Sequence, residues 1–122
     1  MNNCMPSKIE FTPEALKLAK IAKALSHPVR VHILKKLSGM NACCYSGDLV
    51  EEVPVGRSTL SRHLKELKYA GLIQGEINPP FIKYCINRNN WEEAKVLLGS
   101  FFSEQPVSIK LKEVKSASHI NV

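Results

Sequence analysis

The chain predicts a mainly α fold with a small β-hairpin, arranged as a winged helix-turn-helix: a three-helix core, a wing and further terminal helices. Three observations carry this. Ser46–Gly71 reads as a short helix, a break at Pro54 and Gly56, and a longer helix. A β-rich hairpin follows it directly. The apolar residues elsewhere recur mainly at the spacing of helices.

The elements follow in order. Thr12-Pro13-Glu14 opens the first helix with a cap hydroxyl, a proline at the first helical position and an acid at the positive dipole end. Leu18, Ala22 and Leu25 make its apolar stripe, with Lys17, Lys20 and Lys23 on another face. His27-Pro28 starts a second helix carrying Val29, Ile33 and Leu37, and Gly39 lies just beyond its end. Asn41–Tyr45 reads as a loop, and Ser46 as the cap of a helix through about Glu52. The longer helix runs from Arg57 to Ala70, with Leu60, Leu64 and Leu67 inward and Gly71 as its stop. Leu72–Glu76 reads as a strand, Asn78-Pro79-Pro80 as a turn, and Ile82–Ile86 as the returning strand. A last helix spans Asn90–Phe102. Residues 1–11 then form an N-terminal arm, 12–102 the domain and 103–122 a tail. In that tail Val107, Ile109 and Leu111 alternate as a strand or a mobile arm would.

Composition narrows the function. The length of 122 residues suits one domain, and a core this small benefits from further burial in a dimer. No apolar run approaches the roughly 20 residues of a membrane span, and Met1–Glu10 lacks the apolar block of a signal peptide. A cytoplasmic protein with reduced cysteines and no membrane partner is expected. Seventeen Lys and Arg against 11 Asp and Glu leave a net charge of +6, which favours a polyanionic partner.

Where the charge sits matters more than its sum. With the leucines of 57–70 turned inward, the helical period leaves Arg57, Ser58, Thr59, Ser61, Arg62 and Lys65 toward solvent. Arginine pairs in bidentate fashion with guanine, and hydroxyls serve bases or phosphates. Four basic residues against the single acid Glu66 give this helix +3. Double-stranded operator DNA is the expected partner, with Lys83 of the hairpin, and Arg88 just beyond it, reaching phosphate. The bland alternative is an amphipathic helix whose lysines keep it soluble. A winged-helix module that binds protein rather than DNA is another, and the basic face argues against it. No Ser/His/Asp set, phosphate-cradling glycine loop, catalytic carboxylate pair or Cys-X-X-Cys motif points to an enzyme.

Ala24–Arg30 followed by Ile33-Leu34, then Ser58–Leu67 and Ala70-Gly71-Leu72-Ile73, resembles the ArsR/SmtB family of bacterial repressors. The likeness covers about residues 12–102. It implies a homodimeric repressor of transcription that leaves its operator when an inducer binds, with the first and last helices at the dimer interface. Leu18, Trp91, Leu98, Phe101 and Phe102 are the interface residues expected here. His63 falls where the family keeps a histidine, and reads as a packing or hydrogen-bonding residue.

Four cysteines raise the question of an inducer. Family members that sense arsenite, cadmium or lead keep Cys-X-Cys beside Asp-Leu; here Asp48-Leu49 is present, but Cys43 and Cys44 are adjacent and further upstream. Three readings stand. The cysteines are small apolar fillers, Cys85 especially. Or Cys43, Cys44 and Cys4 from the N-terminal arm form a thiolate site for As(III), Cd or Pb as inducer, no cofactor being required. Or they sense redox state, through a bridge between subunits or to Cys4, since adjacent cysteines are too close for an unstrained disulfide. The zinc site of the family, built from Asp and His pairs on the last helix, is not expected: that helix offers Glu92 and Glu93, and His119 lies far down the tail.

Overall fold

A computed structural model describes residues 8–39 and 43–103, apart from the side chain of Asn78. Along these the order is α1 (Pro13–Ala24), α2 (Pro28–Gly39), β1 (Cys44–Tyr45), α3 (Ser46–Glu52), α4 (Arg57–Tyr69), β2 (Ile73–Asn78), β3 (Phe81–Ile86) and α5 (Arg88–Ser103). The strands form one antiparallel sheet in the order β1-β3-β2. This is the winged helix-turn-helix expected, with α3 and α4 as the motif and β2–β3 as the wing. The proposed tail strand, Cys4 and His119 lie outside the described residues.

Local chemistry explains where the helices begin and end. The Thr12 hydroxyl accepts from the Ala15 amide at 3.0 Å, so one of the unpaired donors of the first turn of α1 is satisfied. His27 does the same for α2: its Nδ1 accepts from Val29 N at 3.0 Å, a capping role the sequence reading did not assign. At α3 the expectation differs from the outcome. Ser46 is the first helical residue, and Tyr45 takes the cap position without a side-chain bond. Gly71 has φ +80°, the left-handed conformation that stops α4 and turns the chain into β2.

The core is built on leucine and isoleucine. Ile33, Leu34, Leu37, Leu49, Leu60, Leu67 and Leu72 are essentially sealed from water, which stabilises the fold by about 1.5–3 kcal/mol per side chain relative to exposure. Leu60, Leu64 and Leu67 all point inward as their spacing requires. On α1 the expected stripe was displaced: Ile21 and Ala24 enter the core, while Leu18 and Leu25 are half-buried and Ala22 is exposed. The helix therefore has two apolar faces, and only one is spent inside the domain. Trp91 and Leu98 of α5 are half-buried against the core.

Segment 41–45, read as a loop, ends in β1. Cys44 pairs with Tyr84 and Tyr45 with Lys83, so the chain before the helix-turn-helix adds a third strand to the wing. A two-residue strand has no periodicity of its own to detect. Its β character comes from the partner strand.

Candidate nucleic-acid interface

The sequence folds α4 so that one helix carries two unlike surfaces. Leu60, His63, Leu64 and Leu67 are buried, and Arg57, Ser58, Ser61, Arg62 and Lys65 are exposed on the other side. Positions 57, 61 and 65 and positions 58, 62 and 65 recur at three- and four-residue steps, so these side chains form one patch. Thr59 is half-buried at the edge of that patch rather than within it. None of Arg57, Arg62 and Lys65 has an ion-pair partner among the described residues. The single acid of the helix, Glu66, lies 3.9 Å from Lys23 of α1. The cationic face is thus not neutralised from within. Gly56, the cap residue of α4, offers no side chain to the first-turn amides, which adds partial positive charge beside Arg57.

A polar joint holds α4 at its angle. Arg30 of α2 donates from Nε to His63 Nδ1 at 2.9 Å and from Nη1 to the Lys23 carbonyl at 2.9 Å. The His27 ring lies 4.2 Å from the His63 ring, centroid to centroid. Because Nδ1 accepts from Arg30, His63 is neutral with its proton on Nε2, and that atom is buried without a partner among the described residues. Burial, then the nearby His27, Arg30 and Arg62, hold the His63 pKa below its ordinary value. His63 is therefore a positioning residue on the inner face, as its place in the sequence suggested.

A second joint fixes α3. Glu52 accepts from His32 Nε2 at 3.0 Å and from Lys36 Nζ, tying the end of α3 to α2. The Lys36 bond, then that of His32, hold the Glu52 carboxyl below the usual range.

The wing contributes less charge than expected. Lys83 lies 3.5 Å from Glu76 across the hairpin, so its charge is partly compensated there. Arg88 is exposed at the start of α5. Ile77 and Phe81 are exposed at the tip, and Phe81 meets Tyr45 edge to face with ring centroids 5.6 Å apart.

On the opposite side of α1, Ala15, Leu18, Ala19, Ala22, Leu98, Phe101 and Phe102 line an apolar groove between α1 and α5. Leu18, Leu98, Phe101 and Phe102 thus share one surface. Trp91 is not among them: it packs with Ile21, Leu25, Leu72, Ala94 and Leu98.

The cysteines depart furthest from expectation. Cys43 is disulfide-bonded to Cys85, with Cα atoms 4.5 Å apart. Cys85 is therefore a bonding partner and not an apolar filler, and the bridge lies within the subunit. Cys44 is free and buried, with its thiol pKa raised first by burial. Neighbours on a strand point to opposite faces, so Cys43 and Cys44 do not converge as a ligand pair. Among the described residues no group of three or more His, Cys, Asp or Glu side chains is placed to hold a metal ion.

These elements define a winged helix-turn-helix protein with a basic outer face on its second motif helix. The family described as "Bacterial regulatory protein, arsR family" matches residues 27–74, from the start of α2 into β2. Two curated relatives agree. The transcriptional repressor SdpR of Bacillus subtilis is 34% identical over 67 residues, covering 55% of this chain and 72% of SdpR. The HTH-type transcriptional regulator CmtR of Mycobacterium tuberculosis is 32% identical over 69 residues, 57% of each chain, so the match spans little more than half the length of CmtR. An ArsR-like transcriptional regulator from Rhodococcus sp. RHA1 shares the fold with TM-score 0.64 at 22% identity, over 90% of this chain and 97% of that one. HlyU from Vibrio cholerae superposes with TM-score 0.61 at 22% identity, over 76% and 99%. The chain belongs to the arsR family of bacterial regulatory proteins.

Proposed function

We propose that this protein is a homodimeric transcriptional repressor that binds operator DNA in the major groove through α4. The observation that carries this reading is the exposed Arg57, Ser58, Ser61, Arg62 and Lys65 patch, free of internal ion pairs, on the second helix of the motif. Arg62 reads base edges, with Thr59 placed to assist from the margin. Arg57 and Lys65 neutralise phosphates, and Arg88 and the partly compensated Lys83 add weaker backbone contacts. That the relative SdpR is a transcriptional repressor supports the direction of regulation.

Leu18, Leu98, Phe101 and Phe102 form the dimer interface, because exposed aromatic residues beside a half-spent helix are costly for a lone subunit. A twofold pair of α4 helices would then read half-sites on the order of 34 Å apart, and the operator is an imperfect palindrome. The soft-metal site expected at Cys43, Cys44 and Cys4 gains no support from the opposed faces of Cys43 and Cys44, and the reading of the cysteines moves to the Cys43–Cys85 pair.

The test is fluorescence anisotropy with duplex DNA from the region upstream of the protein's own gene, repeated across salt concentrations. Specific binding whose logarithm falls linearly with the logarithm of salt concentration is expected. Equal, weak binding to that DNA and to a scrambled duplex would sink the proposal.

A further inference from the structure

We infer that Cys43 and Cys85 form a reversible dithiol–disulfide site that fastens the wing to the start of the helix-turn-helix and so sets the affinity for DNA. The pairing follows from strand register. Cys44 lies opposite Tyr84 and Tyr45 opposite Lys83, which places Cys43 opposite Cys85 at the next step of the same ladder. A Cα separation of 4.5 Å is that of a directly facing antiparallel pair of the closer kind, and it falls within the usual disulfide range. Both residues are half-buried, so small thiols and disulfides reach them, whereas Cys44 is sealed in the core.

The consequence follows from what the bridge encloses. The two cysteines are 42 residues apart, and the chain between them holds α3, α4 and β2. Apart from the bridge, β1 and β3 are joined by only two residue pairs. The oxidised form therefore holds the wing in a fixed position relative to the motif. The reduced form leaves that position to the short ladder and to the packing of Ile73, Tyr84 and Ile86 in the core, and any remaining freedom of the wing is then a cost of binding DNA.

The chemistry needs only a low-molecular-weight disulfide as oxidant. One cysteine thiolate attacks the disulfide RSSR, forming a mixed disulfide and releasing RS⁻. The thiolate of the other attacks the mixed disulfide, closes the Cys43–Cys85 bond and releases a second RS⁻. The two thiol protons pass to the two RS⁻, so the dithiol and RSSR become the disulfide and two RSH. A small dithiol reverses the step.

The experiment is equilibration of the full chain in glutathione buffers of graded redox poise, with acid quench, alkylation and peptide mapping. Cys43 and Cys85 should lose their alkylation together, in one transition, in a monomer-linked peptide pair, while Cys44 stays free. Oxidation should raise Tm by on the order of 10 °C, as expected of a cross-link closing so long a loop, and that rise should vanish in Cys43→Ser and in Cys85→Ser. The Cys44→Ala variant should keep the transition.

The effect on DNA rests on the DNA-binding reading above: the oxidised protein should bind several-fold tighter than the reduced one, and the two serine variants should show no such difference. Absence of a Cys43–Cys85 peptide at any poise, or a bridge to another cysteine, overturns the site. A mapped bridge with equal affinity in both states overturns the coupling. Failure of either form to bind DNA would count against the DNA-binding reading, while the thiol mapping and the Tm still decide the site.

Discussion

Arg62 and His63 are neighbours in sequence with opposite duties, one exposed on the outer face of α4 and one buried beneath it. Arg62→Ala should cost about 1–3 kcal/mol of DNA binding and relax preference at the base it reads, measured by anisotropy on single-base operator variants. An unchanged preference would place the recognition face elsewhere. His63 should govern acid stability. Its folded pKa lies below 6.5, so the unfolded chain takes up the proton first as pH falls. Its contribution is complete above about pH 6.5 and declines as pH falls from there toward the folded pKa. Thermal melts from pH 7.5 to 5 should show a steeper loss of Tm in the native protein than in His63→Gln, which keeps an acceptor for Arg30. The exposure of Arg62 and the inward position of His63 were legible in the sequence, because helical periodicity separates positions 62 and 63. The Arg30–His63 bond was not, since its partners are 33 residues apart and nothing local marks them as a pair.

At the scale of elements, the stop of α4 is the most constrained point. A Cβ at Gly71 would sit 3.0 Å from Asn90 Nδ2, the amide that donates to the Gly71 carbonyl at 2.8 Å, and the φ of +80° is itself unfavourable for alanine. Gly71→Ala should therefore destabilise the fold by roughly 1–2 kcal/mol in denaturant titration. Removing the cap of α1 with Thr12→Ala should cost about 1 kcal/mol in the same assay. Capping residues, prolines and the Gly71 stop made the long elements readable; α4 begins at Arg57 as expected, and α3 begins one residue earlier, with Tyr45 and not Ser46 at the cap. β1 escaped because Cys44 and Tyr45 become a strand only by pairing with Tyr84 and Lys83, a contact made across the whole motif. The same contact brings Cys43 to Cys85, so missing the strand meant missing the bond.

For the whole molecule, the second apolar face of α1 and the exposed end of α5 form the surface proposed above for the dimer. Replacing Leu18 and Phe101 together with glutamate should leave the fold intact, since neither belongs to the sealed core, and yield monomers by sedimentation. Affinity for a two-half-site operator should fall far more than affinity for one half-site, because each monomer loses its tethered second contact. Persisting dimers would assign the groove another occupant. The connection between this surface and α4 runs through Arg30. One guanidinium touches the last turn of α1 and the inner side of α4, two helices that also meet through the Lys23–Glu66 pair and through Lys20 lying over the Tyr69 ring. It acts as a strut: were α1 to roll against the proposed partner, Arg30 would carry that movement to the angle at which the opposite helix presents its arginines.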